Sequence, residues 1–133
     1  MNKFLLLTTF ILIASSCKKD TPTVTPKKPI DFLTEKSWKY LTFNNHLKPC
    51  DADDVINFQV DAQFSIDLGT NHCSTNEIDQ ITGSWTFINK ESQVIKEYML
   101  FGNPLTDTLT IIKLDDEKFE YIDENNNNVV LEH

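Results

Sequence analysis

The chain has 133 residues, with 12 basic residues, 20 acidic residues and a formal net charge of −8, so a single domain is expected. All the basic residues are lysines, and from Ile30 onward 7 lysines stand against 19 acidic residues. This charge excludes nucleic-acid backbones and anionic lipid surfaces as partners of the folded part. A hydrophobic content of 40% and an aromatic content of 11% indicate a globular chain.

The amino terminus predicts export. Lys3 carries a positive charge, and an apolar run extends from Phe4 to Ala14. The run is too short to span a bilayer, which needs about 20 residues. Together with the small residues that follow it, this pattern predicts a secretory signal peptide over residues 1–16.

The segment Ala14-Ser15-Ser16-Cys17 resembles the lipobox of bacterial lipoproteins, in which cleavage precedes the cysteine and its thiol is acylated. The following Lys18-Lys19-Asp20 is similar to the segment found in Bacteroidetes lipoproteins. The resemblance implies lipidation of Cys17 and a place in the cell envelope, on the periplasmic or surface face of the outer membrane. The alternative is ordinary signal cleavage nearby. Residues 17–30 are proline-rich and almost free of apolar side chains, which predicts a flexible tether.

Residues 31–133 predict an all-β domain. A short helical turn is expected at 31–36, followed by segments of alternating polarity separated by turn residues at intervals of about ten. No segment has the helical periodicity of a crossover connection, so neighbouring strands are expected to be antiparallel and to close into an eight-stranded up-and-down barrel. The predicted strands are 37–44, 55–60, 63–68, 81–88, 93–101, 107–114, 118–123 and 128–132.

In two of the predicted strands, the sequence does not decide which face points into the barrel. In 37–44, Trp38 and Tyr40 compete with Leu41 and Phe43 for the interior. In 93–101, the face that contains Ile95 and the face that contains Val94 are both apolar enough to point inward. A β-bulge would reconcile either strand with the barrel.

The lengths of the connections predict two unlike ends. In a meander the connections alternate between the ends, and the longer ones, including about five residues between 101 and 107, gather at one end. The turn at 31–36 closes the other end, from which the tether leaves. Cys50 and Cys73 lie in the two longest connections. Because an exported protein meets an oxidising compartment, we predict a Cys50–Cys73 disulfide.

The domain resembles the lipocalin-like domain of small Bacteroidetes lipoproteins over residues 33–131. The residues that carry the resemblance are Trp38, Cys50, Asp53-Asp54, Ile56-Asn57-Phe58, Asp61, Phe64, Cys73 and Gly83-Ser84-Trp85. It implies an eight-stranded barrel and, by analogy, the binding of a small hydrophobic ligand.

The leading functional hypothesis is a membrane-anchored lipoprotein that holds a small apolar ligand inside the barrel. The alternative is a barrel filled by its own side chains that serves as an interaction or scaffold module at the cell envelope, because eight strands leave room for either. The candidate lining residues are Phe43, Ile56, Ile66, Leu68, Leu109, Tyr121 and Val129.

Catalysis, cofactors and metals are not expected. The chain shows no nucleophile elbow, and its three glycines form no phosphate-binding loop. His46 and His72 with the two cysteines suit zinc by residue type, but their spacing matches no known zinc motif. The acidic segment 51–54 lacks the remaining ligands of a calcium loop.

Overall fold

The computed structural model describes residues 25–76 and 78–133, so the predicted signal peptide and Cys17 lie outside the described residues. The described part contains one α-helix, one 3-10 helix of three residues (Pro49–Asp51) and eight strands. The α-helix and the strands are α1 (Pro29–Thr34), β1 (Trp38–Phe43), β2 (Val55–Phe58), β3 (Gln63–Asp67), β4 (Gln80–Ile88), β5 (Gln93–Leu100), β6 (Asn103–Leu114), β7 (Lys118–Ile122) and β8 (Asn128–Glu132). No helix in the described part is long and apolar enough to cross a membrane.

The eight strands form a closed antiparallel barrel. Each strand pairs with the next along the chain, and β8 returns to pair with β1. Closure gives every strand a partner on both sides and leaves no open sheet edge. The predicted up-and-down barrel with a short amino-terminal helix is confirmed.

A bulge in β1 resolves the ambiguity of the first strand. The pairing with β8 shifts register between Tyr40 and Thr42. Trp38 is completely buried on one side of the shift, and Phe43 pairs with the buried Val129 on the other. Both competing sets therefore contribute an inward residue, because the extra residue, Leu41, reverses the alternation.

The two ends of the barrel differ. At the closed end lie α1 and the connections 59–62, 89–92 and 115–117. At the open end lie the connections 44–54, 68–79, 101–102 and 123–127. The predicted five-residue loop before residue 107 is wrong, since β6 begins at Asn103, which pairs with Leu100. Phe101 and Gly102 make the turn with positive φ angles of 49° and 80°.

Aromatic side chains fill the closed half of the barrel. Their rings meet mainly edge to face, with centroids 5.6 Å apart for Phe58 and Trp85 and 5.8 Å apart for Trp38 and Phe119. Such arrangements contribute about 0.5–1.5 kcal/mol each beyond the burial of area. The buried aromatic residues are Trp38, Phe58, Phe64, Trp85, Phe119 and Tyr121.

The helix α1 plugs the closed end. Leu33 is completely buried, and its carbonyl oxygen accepts a 3.0 Å hydrogen bond from Nε1 of Trp38. Asp31 caps the first turn by accepting a 2.8 Å hydrogen bond from the amide of Lys28. Lys27 pairs with Glu35 and with Asp116 in the 115–117 turn. Ordered contacts therefore begin within the segment predicted as a tether.

We expect Leu33→Ala to lower the free energy of unfolding by about 2–5 kcal/mol, because it leaves a cavity beneath the aromatic core. Chemical denaturation followed by tryptophan fluorescence measures this loss. Val60→Ala is the control, since Val60 also lies at the closed end but is 77% exposed. Equal effects of the two substitutions would contradict the role of Leu33 as a plug.

Candidate functional site

A disulfide joins the two long loops of the open end. Cys50 and Cys73 are bonded across a sequence separation of 23, with Cα atoms 5.1 Å apart, which confirms the predicted pairing. A cross-link over such a loop contributes about 3 kcal/mol in the chain-entropy model. Because both sulfurs are bonded to each other, neither offers the thiolate that a zinc site needs.

Asp53 makes a second connection between the same two loops. Its Oδ2 accepts hydrogen bonds from the amides of Thr70 at 2.8 Å and Asn71 at 3.2 Å. The bonds from Thr70 and Asn71 keep the pKa of the Asp53 carboxyl below its usual value. At Gly69, with φ of +61°, an added Cβ would lie 2.3 Å from Cγ of Asp53. The close approach therefore requires glycine at this position.

An apolar cavity of about 350 Å³ opens at this end of the barrel. It lies where the 68–79 loop and the 101–102 turn meet. Leu68, a candidate from the sequence, lies in its wall. The full lining is Leu68, Ser74, Asn76, Ile78, Ile81, Leu100 and Phe101.

A smaller cavity of about 180 Å³, which we call the polar cavity, occupies the opposite side of the open end. Four candidates from the sequence line it, namely Phe43, Leu109, Tyr121 and Val129. The other lining residues are Tyr40, Lys96, Asp107, Asp123, Glu124 and Asn125. The mouth of the barrel is therefore divided between an apolar side and a polar side.

The two remaining candidates belong to the core. Ile56 and Ile66 are directly opposed on β2 and β3 and are 1% and 7% exposed. They pack within the main hydrophobic cluster and line neither cavity of the open end. The alternation of polar and apolar residues correctly predicted that both side chains point inward. How far each lies from the open end depends on the stagger of neighbouring strands, which the alternation does not show.

An ion pair between a buried lysine and a half-buried aspartate lies on the polar side of the open end. Lys96 is 5% exposed, and its Nζ lies 3.0 Å from Oδ2 of Asp107 on the neighbouring strand. The hydroxyl of Tyr98 donates to the same carboxylate at 3.2 Å. The Nζ also lies 5.4 Å from the ring centroid of Phe64 and 5.8 Å from that of Tyr98. The ammonium group is thus held by one carboxylate and two ring faces.

Sequence reasoning missed this pair, although a signal for it existed. Lys96 stands between Val94 and Tyr98 in an alternating strand, so choosing the Val94 face as the inward one would have placed a charge inside the barrel. A charge in such a position requires a partner. The natural candidate was an acidic residue on the adjoining strand, where Asp107 pairs directly with Lys96.

The tyrosines of the open end share a water-poor and negatively charged surrounding. Burial, followed by the Asp107 carboxylate, raises the pKa of Tyr98 to about 12. Burial, followed by the nearby Asp54 carboxylate, raises the pKa of Tyr40. Burial and the neighbouring Tyr40, with which it shares a hydrogen bond, raise the pKa of Tyr121. These three are all the tyrosines in the chain.

A larger depression of about 530 Å³ lies elsewhere, on the outer surface of the barrel. It is located between the end of α1 and the outward faces of β2 and β3, beside residues such as Asn57 and Ser65. It is shallow, and most of its lining residues are polar. The apolar cavity and the polar cavity are therefore better candidates than this depression for a site that buries a ligand.

We expect the tyrosines of the folded protein to ionise at higher pH than those of the unfolded chain, because all three pKa values lie above the unfolded value near 10. The resulting stabilisation is complete below pH 10 and is lost as the pH rises towards 12. Absorbance at 295 nm and circular dichroism, recorded in parallel, test this. Ionisation near pH 10 with the fold intact would contradict it.

We compared the chain with known families, curated proteins and solved structures to identify proteins with a similar fold. No family model matches the chain, and no curated protein matches it. Among solved structures, a lipocalin-like protein from Bacteroides uniformis superposes with a TM-score of 0.57 at 12% sequence identity. The match covers 76% of this chain and 97% of that protein. The barrel is therefore lipocalin-like in fold, as the sequence resemblance predicted.

Proposed function

We propose that this chain is an exported, membrane-anchored lipocalin-like lipoprotein that binds a small hydrophobic ligand at the open end of its barrel. The observation that carries the proposal is the apolar cavity between the 68–79 loop and the 101–102 turn. Apolar walls with a few polar groups at the edge are typical of small-molecule sites. Here Ser74 and Asn76 are the polar groups.

The size of the ligand follows from what fills the rest of the barrel. The aromatic core occupies the closed half, so a ligand enters only as far as the mouth. A volume of about 350 Å³ is near the lower limit for small-molecule pockets, which run from about 300 to 1,000 Å³. Burial of the ligand supplies the affinity, at about 25 cal/mol per Å² of apolar surface.

Binding rather than catalysis agrees with the chemistry of the mouth. A general acid or base works best when its pKa is near the working pH. The three tyrosines have pKa values raised away from neutrality, and Lys96 and Asp107 are paired with each other. The proposal therefore assigns these groups to shaping the site.

We expect Leu100→Asn to weaken binding of a neutral apolar probe, N-phenyl-1-naphthylamine, by about tenfold, because it places an amide in the apolar wall. Met99→Asn is the matched control. Met99 is the preceding residue on the same strand, points outward and is 58% exposed. Fluorescence titration of the purified barrel gives both affinities, and thermal unfolding shows whether either variant has lost stability.

Equal affinity in the two variants would contradict a site in the apolar cavity. Absence of binding to the unsubstituted protein would favour the alternative, a filled barrel that acts as an interaction or scaffold module. That alternative rests on the buried aromatic cluster of the closed half.

The anchoring part of the proposal rests on Cys17 and on the geometry of the closed end. The ion pairs of Lys27 with Glu35 and Asp116 attach the start of the domain to the closed end. A chain anchored through Cys17 would therefore present the open end away from the membrane. The expected place is the outer membrane, with the barrel on its periplasmic or surface face.

We expect Cys17→Ser to move the protein from the membrane fraction to the soluble fraction of its native cells, because acyl chains supply the attachment. Immunoblotting of the two fractions measures the shift, and mass spectrometry of the amino-terminal peptide detects the acyl groups. Ser16→Ala is the control, since it leaves the acylated thiol in place. A membrane-bound Cys17→Ser protein would refute the anchor.

A further inference from the structure

We propose that the polar cavity binds a protonated amine, so that the ligand of this barrel is a small amphipathic cation. The inference rests on the proposed function and specifies the chemistry of the ligand's polar group. The head of the ligand would occupy the polar cavity, and its apolar tail would extend toward the apolar cavity on the other side of the mouth.

The polar cavity is a recess inside the barrel. Leu109, Tyr121 and Val129 line it, and each is at most 4% exposed. Lys96, also in the lining, is 5% exposed. A head group that reaches these residues leaves water, so its affinity depends on charge and hydrogen bonding within the cavity.

The charges that line the cavity favour a cation. Lys96 is the one basic residue in this lining, and Asp107 at 3.0 Å already compensates its charge. Two further negative charges come from Asp123, whose carboxylate accepts hydrogen bonds from Asn125 and Asn127, and from the exposed Glu124. An anionic head group would meet no uncompensated cation in the lining, whereas an ammonium group would gain attraction from these acids.

The side chain of Lys96 shows how this part of the barrel accommodates an alkylammonium group. Its charge is stabilised by the Asp107 carboxylate and by the ring faces of Phe64 and Tyr98. The polar cavity offers the same combination to a ligand, because aromatic rings and carboxylates line it together. The rings belong to Tyr40, Phe43 and Tyr121.

The spacing of the two cavities limits the length of the ligand. Lys96 lines the polar cavity, and Leu100, on the same face of the same strand, lines the apolar cavity. Four residues of an antiparallel strand span roughly 13 Å. An unbranched alkylamine of about eight carbons has a length of this order.

Three probes of equal chain length separate the possibilities: octylamine, octanol and octanoate, each titrated calorimetrically into the purified barrel at pH 7. We expect octylamine to bind about tenfold more tightly than octanol, and octanoate to bind most weakly. Added salt should weaken the binding of octylamine and leave that of octanol unchanged.

Two substitutions locate the effect. Glu124→Gln, in the exposed 123–127 loop, should reduce the preference for octylamine over octanol about threefold, because it removes one negative charge from the lining of the polar cavity. Glu91→Gln, an exposed acidic residue at the closed end, is the charge-matched control and should leave this preference unchanged.

The outcomes separate the inference from the proposed function. Octanol or octanoate binding as tightly as octylamine would overturn the cationic head group and leave the apolar site standing. Equal effects of Glu124→Gln and Glu91→Gln would overturn its placement in the polar cavity. Failure of all three probes to bind would overturn the proposed function and this inference together.

Discussion

Hydrogen bonding between β1 and β8 closes the sheet into a barrel. The width of the barrel determines how much space its interior offers to side chains and to a ligand. Eight strands enclose a space that side chains can fill or that can take one small ligand. This barrel does both at different depths. Aromatic rings fill the closed half above the Leu33 plug, and the apolar and polar cavities lie at the open end. A ligand can therefore bind only at the open end, beyond the large aromatic side chains of the closed half.

The open end combines a charged pair with an apolar wall, and burying charge opposes the stabilisation gained by burying apolar surface. Burying Lys96 and half-burying Asp107 costs desolvation, which their mutual attraction and the hydroxyl of Tyr98 offset. A purely apolar interior would avoid that cost, but it would accept any apolar molecule of the right size. A charged pair beside an apolar wall is more selective, because a ligand must pair its polar group there and place its apolar part against the wall. The proposed preference for an amphipathic cation follows from this division of the mouth.

Several features were predictable because they depend on local patterns. The alternation of polarity located the strands, and the two cysteines in long connections predicted the disulfide. The turn at 101–102 was not predictable in this way. Phe101 adopts a positive φ of 49°, which a bulky residue rarely does, so nothing in the sequence indicated that it is a turn residue. The pairing of Leu100 with Asn103 requires the tight turn, and the strand hydrogen bonds compensate the local strain.

The sequence by itself determined an all-β domain, the antiparallel order of its strands and the plug at one end, because each follows from neighbours along the chain. It also determined the disulfide, because the chain after Cys17 has two cysteines and is expected to meet an oxidising compartment. Only the tertiary structure decided which face of β5 turns inward and how the bulge at Leu41 places Trp38 in the core and the 42% exposed Phe43 at the mouth. It also decided how the apolar and polar cavities are divided between the two sides of the mouth. These features depend on the register of strands distant in sequence, and a shift of one residue reverses every side chain.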